Sequence, residues 1–118
     1  MTPSQRTQSW LRERGYKVGL VERFIHPSKH STVGHRQDLF GCIDMLALKE
    51  GEILAVQSTG QDWAGHWKKL TEGSGRAGVE LWLATGQPFL LIGWRKLVGK
   101  GYQPRVRWLV PADLVPPS

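Results

Sequence analysis

Two apolar runs flank a short polar one in the middle of the chain, and the remaining pattern arranges itself around them. Ile43 and Met45 to Leu48 come first, Lys49-Glu50-Gly51-Glu52 follows, and Ile53 to Val56 come next. Short apolar runs about a glycine-bearing polar break predict a β-hairpin. Upstream, Thr2 before Pro3 predicts a helix start, with Thr7, Trp10 and Leu11 as its apolar edge and Gly15 as its stop. Alternation from Tyr16 to Ile25 predicts a strand, with Tyr16, Val18, Leu20, Glu22 and Phe24 on one side. His26 to Gln37 is polar and reads as a loop, long for a small domain, and loops of that length often carry function. Downstream, Trp63, Trp67 and Leu70 recur at helical spacing, with Lys68 and Lys69 off that stripe. Gly73-Ser74-Gly75 breaks the helix, and a second one runs from about Arg76 to Thr85. Pro88 to Leu97 reads as a strand, Val98 to Pro104 as a loop, Arg105 to Val110 as a last strand paired with the one before, and 111–118 as an edge segment or tail. There is no repeat and no low-complexity segment.

The hairpin carries the first chemical signal. A turn centred between Glu50 and Gly51 opposes Asp44 to Gln57, and opposed residues share a sheet face with Cβ atoms about 5 Å apart. A carboxylate and a carboxamide then meet between two apolar strands. Burying such a pair is unfavourable without a partner, and a divalent cation with oxygen ligands is one such partner. Asp38, at the mouth of the strand, and Glu22, near the end of the first strand, are the other acids expected to approach this edge. Each also has a plain structural reading, Asp38 as a loop cap and Glu22 as a surface ion pair with Arg23 or Arg36. Asp44 itself could simply bond a turn backbone, and Gln57 could simply pair with neighbouring strands.

Composition narrows the partner. The 118 residues suffice for one domain and one core. The net charge of +6 and pI of about 9.9 favour a polyanion, with nucleic acid the default. Cys42 is the only cysteine, which excludes an intrachain disulfide and a zinc cluster and leaves a small buried hydrophobe. The N-terminus lacks the apolar run of a signal peptide, and no stretch reaches membrane-spanning length, so a cytoplasmic protein is the simplest expectation. Six tryptophans are many for this size and are expected to build the core. Trp94-Arg95-Lys96 and Arg105-Val106-Arg107-Trp108 interleave basic and aromatic residues on adjacent strands. That suits a surface where cations hold phosphates and rings stack on unpaired bases, although the same residues also fit a core with a solvated face. Lys68, Lys69 and Arg76 extend this candidate DNA surface. His26, His30 and His35 share one loop, but without cysteine and at irregular spacing they make a poor transition-metal site.

Gly41-Cys42-Ile43-Asp44, the hairpin and Gln57-Ser58-Thr59 resemble the core of the PD-(D/E)XK nuclease superfamily, in which a Gly-x-x-Asp entry leads through a turn to an acidic-x-Lys triplet. The order of elements is also similar, as is the layout of small phage-encoded relatives of Holliday-junction resolvases with an Asp-Leu-Phe-Gly-x-x-Asp run and a Trp-Arg-Lys strand. The resemblance implies an α/β, restriction-endonuclease-like fold, a mixed central sheet flanked by helices. It implies a DNA endonuclease using Mg2+ or Mn2+ held by Asp44, the Gln57 side-chain oxygen, the Ser58 carbonyl and Asp38, with Glu22 in support. Two departures stand out: Gln57 replaces a carboxylate and Thr59 replaces the lysine that handles the attacking water. Lys68 or Lys69, on the following helix, could reach in from another direction, and Glu13 is a helix-borne alternative acid. A nuclease fold kept as a silent nucleic-acid-binding module, and a phage-encoded regulator that binds protein, are the rival functions. A homodimer would suit an enzyme that cuts both strands.

Overall fold

A computed structural model describes residues 1–27 and 34–117, the side chain of His35 excepted. It is a mixed α/β structure in which a five-stranded sheet lies between helix α1 (Pro3–Glu13) on one face and helices α2 (Trp63–Thr71) and α3 (Arg76–Ala84) on the other. The strands are β1 (Lys17–Leu20), β4 (Met45–Lys49), β5 (Glu52–Thr59), β6 (Phe89–Leu97) and β7 (Gly101–Trp108), neighbours in that order. Only β5 and β6 run parallel, which obliges the chain to cross over through α2 and α3. Strands β2 (Arg23–Ile25) and β3 (His35–Gln37) form a separate antiparallel ribbon. No helix among the described residues is long and apolar enough to cross a membrane.

The hairpin has the expected register. Met45 opposes Val56 and Lys49 opposes Glu52, and the pairing continues one step as the Asp44 N–H donates to the Val56 carbonyl at 2.9 Å. Alternation then sorts the sheet. Met45, Ala47, Leu54, Val56, Leu90, Ile92 and Trp94 pack with Leu11 on the α1 side. Ala55, Phe89 and Leu91 pack with Leu70 and Val79 on the other. Thr2 and Gln5 close a reciprocal cap at the start of α1, Thr2 N–H to Gln5 Oε1 at 2.8 Å and Gln5 N–H to Thr2 Oγ1 at 3.1 Å. Helix α3 seats against the turn before β4, because a Cβ on Gly78 would stand 2.4 Å from the Phe40 carbonyl oxygen. Only glycine permits that approach.

Four expectations need correction. The single strand over Tyr16–Ile25 is two, broken where the N–H groups of Val21 and Glu22 both donate to the Asp44 carbonyl, at 3.0 and 3.2 Å. Alternation alone could not show that its two halves have different partners. The run His26–Gln37 is not all loop, since His35–Gln37 pairs with β2. The segment from Gly101 to Pro104 belongs to β7, which is an edge strand and so tolerates a proline without an N–H to offer. The tryptophans do not build the core: Trp94 alone is buried, Trp10, Trp63, Trp67 and Trp82 pack at its margin, and Trp108 is exposed. Cys42 is fully buried, as a small hydrophobe should be, in the turn before β4.

Candidate functional site

The turn ahead of β4 sets the site. An isolated bridge joins Leu39 to Ile43, and Gly41 sits at φ 73° between them, a conformation that favours glycine. The turn places Asp38 at one end and Asp44 at the other. Asp44 is nearly buried and its Oδ2 accepts the Ser58 N–H at 2.8 Å, which ties it to β5. Glu22 arrives from the break between β1 and β2, the same break that the Asp44 carbonyl makes. One carboxylate oxygen from each of Glu22, Asp38 and Asp44 lies within 4.8 Å of the others. These acids, Gln57, His66 and Lys69 line a cavity of about 390 Å³.

Gln57 is fully buried at the floor of this cavity. Its Nε2 donates to Asp38 Oδ2 and to the Cys42 carbonyl, both at 3.2 Å. Its Oε1 accepts from Lys69 Nζ at 2.9 Å and from His66 Nδ1 at 3.1 Å. A carbonyl and a carboxylate only accept and an ammonium only donates, so the amide has one possible orientation. Lys69 Nζ also donates to Asp38 Oδ2 at 2.5 Å. Glu22 pairs with the exposed Arg36 at 2.7 Å.

Charge in this cluster is unevenly shared. Burial, the Asp38 carboxyl and the more distant Glu22 push Asp44 up to about 8, against the opposing pull of the Ser58 N–H. Burial works the same way on Asp38, but hydrogen bonds from Asp44, Lys69 and Gln57 outweigh it and hold Asp38 below the usual carboxylate range. The two carboxyls therefore share one proton near neutrality, carried mainly by Asp44. Burial and then the Lys69 charge lower His66, so its imidazole is neutral at pH 7. Burial pushes the Cys42 thiol up to about 11, which leaves it protonated and unreactive.

Asp44 and Gln57 line the same cavity, as the hairpin register requires, with Asp44 one residue ahead of the strand rather than in its middle. Asp38 and Glu22 join them. In this arrangement the carbonyl oxygen of Gln57, expected as a ligand, is held by Lys69 and His66, and its amide nitrogen faces Asp38. The third acid is Glu22 instead. Ser58 contributes its N–H, and its hydroxyl points to the opposite face, 2.8 Å from Thr7 Oγ1. Thr59, 4% exposed, offers no room where the triplet lysine would stand; the ammonium comes from α2. Glu13 is exposed on α1.

The basic residues separate. Lys69 belongs to the acidic cavity, whereas Lys68 is exposed beside Glu72 at 3.8 Å. Arg76 is tied to Glu80 and to the Val115 carbonyl. Alternation along β6 and β7 puts Arg95, Arg105 and Arg107 on the α2 side and Lys96 on the α1 side. Among the histidines, His26 is exposed against Phe24, while His30 and the His35 side chain lie outside the described residues. His66 escaped the sequence reading altogether. Its signal was present, since it precedes Lys69 by three residues and shares its helix edge, away from the tryptophan stripe.

Comparison with family models, with curated proteins and with solved structures finds no match to this chain.

Proposed function

We propose that the acidic cavity hydrolyses phosphodiester bonds of DNA with the help of Mg2+ or Mn2+, on a restriction-endonuclease-like version of this mixed sheet. The observation that carries the reading is an ammonium, Lys69, set against three converging carboxylates in one open cavity. The donor set fits a hard divalent cation: among the described residues every candidate ligand is a carboxylate oxygen, and none gives Asp44 a cationic partner of its own. Asp44, Asp38 and Glu22 would hold the ion, which when bound would supply charge neutralisation and activation of water.

The chain's own residues account for the rest. Lys69 has three ammonium protons, of which two are placed on Asp38 and Gln57, and the third remains for an anionic phosphate oxygen. Neutral His66 donates from Nδ1 to Gln57, so its Nε2 keeps a lone pair that can take a proton. Gln57 holds both groups in place and carries no charge. The groups are fixed by their mutual hydrogen bonds before any substrate arrives, so little reorganisation is needed to meet charge that develops on a phosphate.

Gln57 also supports a second reading. Without the carboxylate that the superfamily pattern has here, the same fold would bind nucleic acid and leave it intact. Incubation with branched, single-stranded and duplex DNA, with Mg2+, Mn2+ or chelator, separates the two. Metal-dependent cleavage that disappears in Asp44→Asn is the expected result. Cleavage by Asp44→Asn at the wild-type rate would sink the assignment.

A further inference from the structure

Helix α2 has a second working edge. Trp63 and Trp67 project from it toward β7, where they line a cavity of about 460 Å³ with Arg105 and Arg107. The Arg105 guanidinium carbon lies 4.2 Å from the Trp63 ring centroid, and that of Arg107 lies 5.5 Å from the Trp67 centroid. Arg107 is also fixed by Asp113 at 2.6 Å. Arg105 has no carboxylate partner among the described residues. A smaller cavity of about 150 Å³ continues past Trp63 and Arg105 to Arg95.

We propose that this groove binds an unpaired segment of DNA, with phosphates on Arg105, Arg107 and Arg95 and a base stacked at Trp67. A guanidinium lying on an indole has one face covered, but its N–H donors point outward in the ring plane, ready for bidentate contact with phosphate. Arg105 and Arg107 are two apart on an extended strand, so their anchor points recur at about 6.6 Å along one line. That suits a polymer with one anionic group per repeat. The wider Arg107–Trp67 pair, beside a concave space, leaves ring surface for a flat base. A duplex keeps its bases stacked inward and has none to offer such a pocket, whereas an unpaired strand does. The net charge of +6 favours the same partner over a cationic one.

The groove also gives the acidic cavity its substrate. Trp67 and His66 are successive residues of α2, one lining the groove and the other the acidic cavity. A strand held in the groove needs only to cross α2 to present a phosphodiester to Lys69. This last step rests on the nuclease reading; the binding does not.

The test is binding in chelator, where no metal-dependent cleavage occurs. Labelled oligothymidine, the same strand with abasic spacers and a duplex of equal length are titrated by anisotropy, with tryptophan emission followed in parallel. Oligothymidine should quench the emission and bind about tenfold tighter than the abasic strand. Arg105→Ala and Arg107→Gln should each lower the slope of log affinity against log salt by about 0.7. Trp67→Leu should erase the preference for bases; should that variant fail to fold, the abasic strand on the wild-type chain still decides the matter. Equal affinity for abasic and normal strands, tighter binding of duplex, or an unchanged salt slope in both arginine variants would overturn the proposal. Base-dependent binding without cleavage in any metal would overturn the nuclease reading and leave the groove standing. Cleavage without base-dependent binding would do the reverse.

Discussion

The two faces of the central sheet both bury polar side chains, and they do so on opposite terms. On the α1 face, Thr7, Ser58 and Trp94 form a neutral trio: Thr7 Oγ1 lies 2.8 Å from Ser58 Oγ and accepts the Trp94 Nε1–H at 2.9 Å. On the α2 face, three carboxylates meet two cations. Among the described residues Arg36 pairs with Glu22 and Lys69 with Asp38, and Asp44 is left over. Among the described residues no buried side-chain nitrogen or oxygen lacks a hydrogen-bond partner, so satisfaction alone does not tell the faces apart. Charge does. A neutral trio is complete as it stands, whereas an odd carboxylate in a low-dielectric cavity must take up a proton or a cation.

The largest expected effect tests that surplus directly. Asp44→Asn keeps an oxygen for the Ser58 N–H and removes the carboxyl that would exchange its proton for a cation. Metal-dependent cleavage should fall by at least about a hundredfold, while the chain remains folded. Cleavage of branched, single-stranded and duplex DNA in Mg2+ against chelator measures it. A fall of less than tenfold would mean that the surplus charge is structural.

The opposite face should respond in stability alone. Thr7→Ala strips Ser58 Oγ and Trp94 Nε1 of their shared partner, and stranding buried polar groups costs about 1–3 kcal/mol. The unfolding free energy should drop by that amount in chelator and in Mg2+ alike. A loss that depends on metal would join the two faces and break the contrast.

The hairpin half of the site was legible because strand side chains have a period of two and the Lys49–Glu52 turn fixes the register, so Asp44 and Gln57 had to fall on one face. The α1 cap was legible for a similarly local reason, Thr2 before Pro3. Lys69 and His66 were harder. Their shared helix edge was readable, but their approach to the acids depends on how α2 docks after the crossover, which no local pattern encodes. Nor did the interleaving of arginine and tryptophan on β6 and β7 survive alternation, which sends Arg105 and Arg107 to one face and Trp94 and Trp108 to the other. The rings beside the arginines come from α2 instead. The role of Gln57 could not be read because an amide offers both a donor and an acceptor, and only its neighbours decide which end meets the acids.

Gln57→Glu sharpens the charge argument. It replaces the donor to Cys42 and Asp38 with an acceptor and adds a fourth carboxylate beside three. Stability in chelator should fall by about 1–3 kcal/mol, and Mg2+ should restore more of it than in the wild type. Thermal midpoints across a Mg2+ series give the comparison. Adding Thr59→Lys to complete the superfamily triplet should further weaken folding, since Thr59 is buried and Lys69 already supplies the ammonium.

A milder probe is pH. Asp44 titrates near 8 when folded and near the ordinary carboxylate value of about 4 when unfolded, so the folded state binds the extra proton in between. Stability without metal should therefore fall as pH rises through that window. His66, with its lowered value, has the opposite sign, and its effect fades as pH rises past the ordinary histidine value of about 6.5. From about 7 to about 8 the Asp44 effect outweighs that of His66. Midpoints should decline there in chelator, decline less in Mg2+, and stay level in Asp44→Asn. A flat wild-type profile would remove the surplus charge from the account.

The smallest effect separates two neighbours in sequence. Lys68 and Lys69 both lie off the tryptophan stripe, and nothing in the sequence ranks them. Lys68 is exposed and stands 3.8 Å from Glu72, a surface pair worth less than about 1 kcal/mol. Lys69 is wedged between Asp38 and Gln57. Lys68→Ala should change the unfolding free energy by no more than about 0.5 kcal/mol and leave the Mg2+-dependent stabilisation as it was. Lys69→Ala should lower stability in chelator, because Asp38 loses its cation, and should enlarge the gain from Mg2+, because a second carboxylate then lacks a partner. Identical metal responses in the two variants would mean that Lys69 takes no part in the charge balance of the cavity.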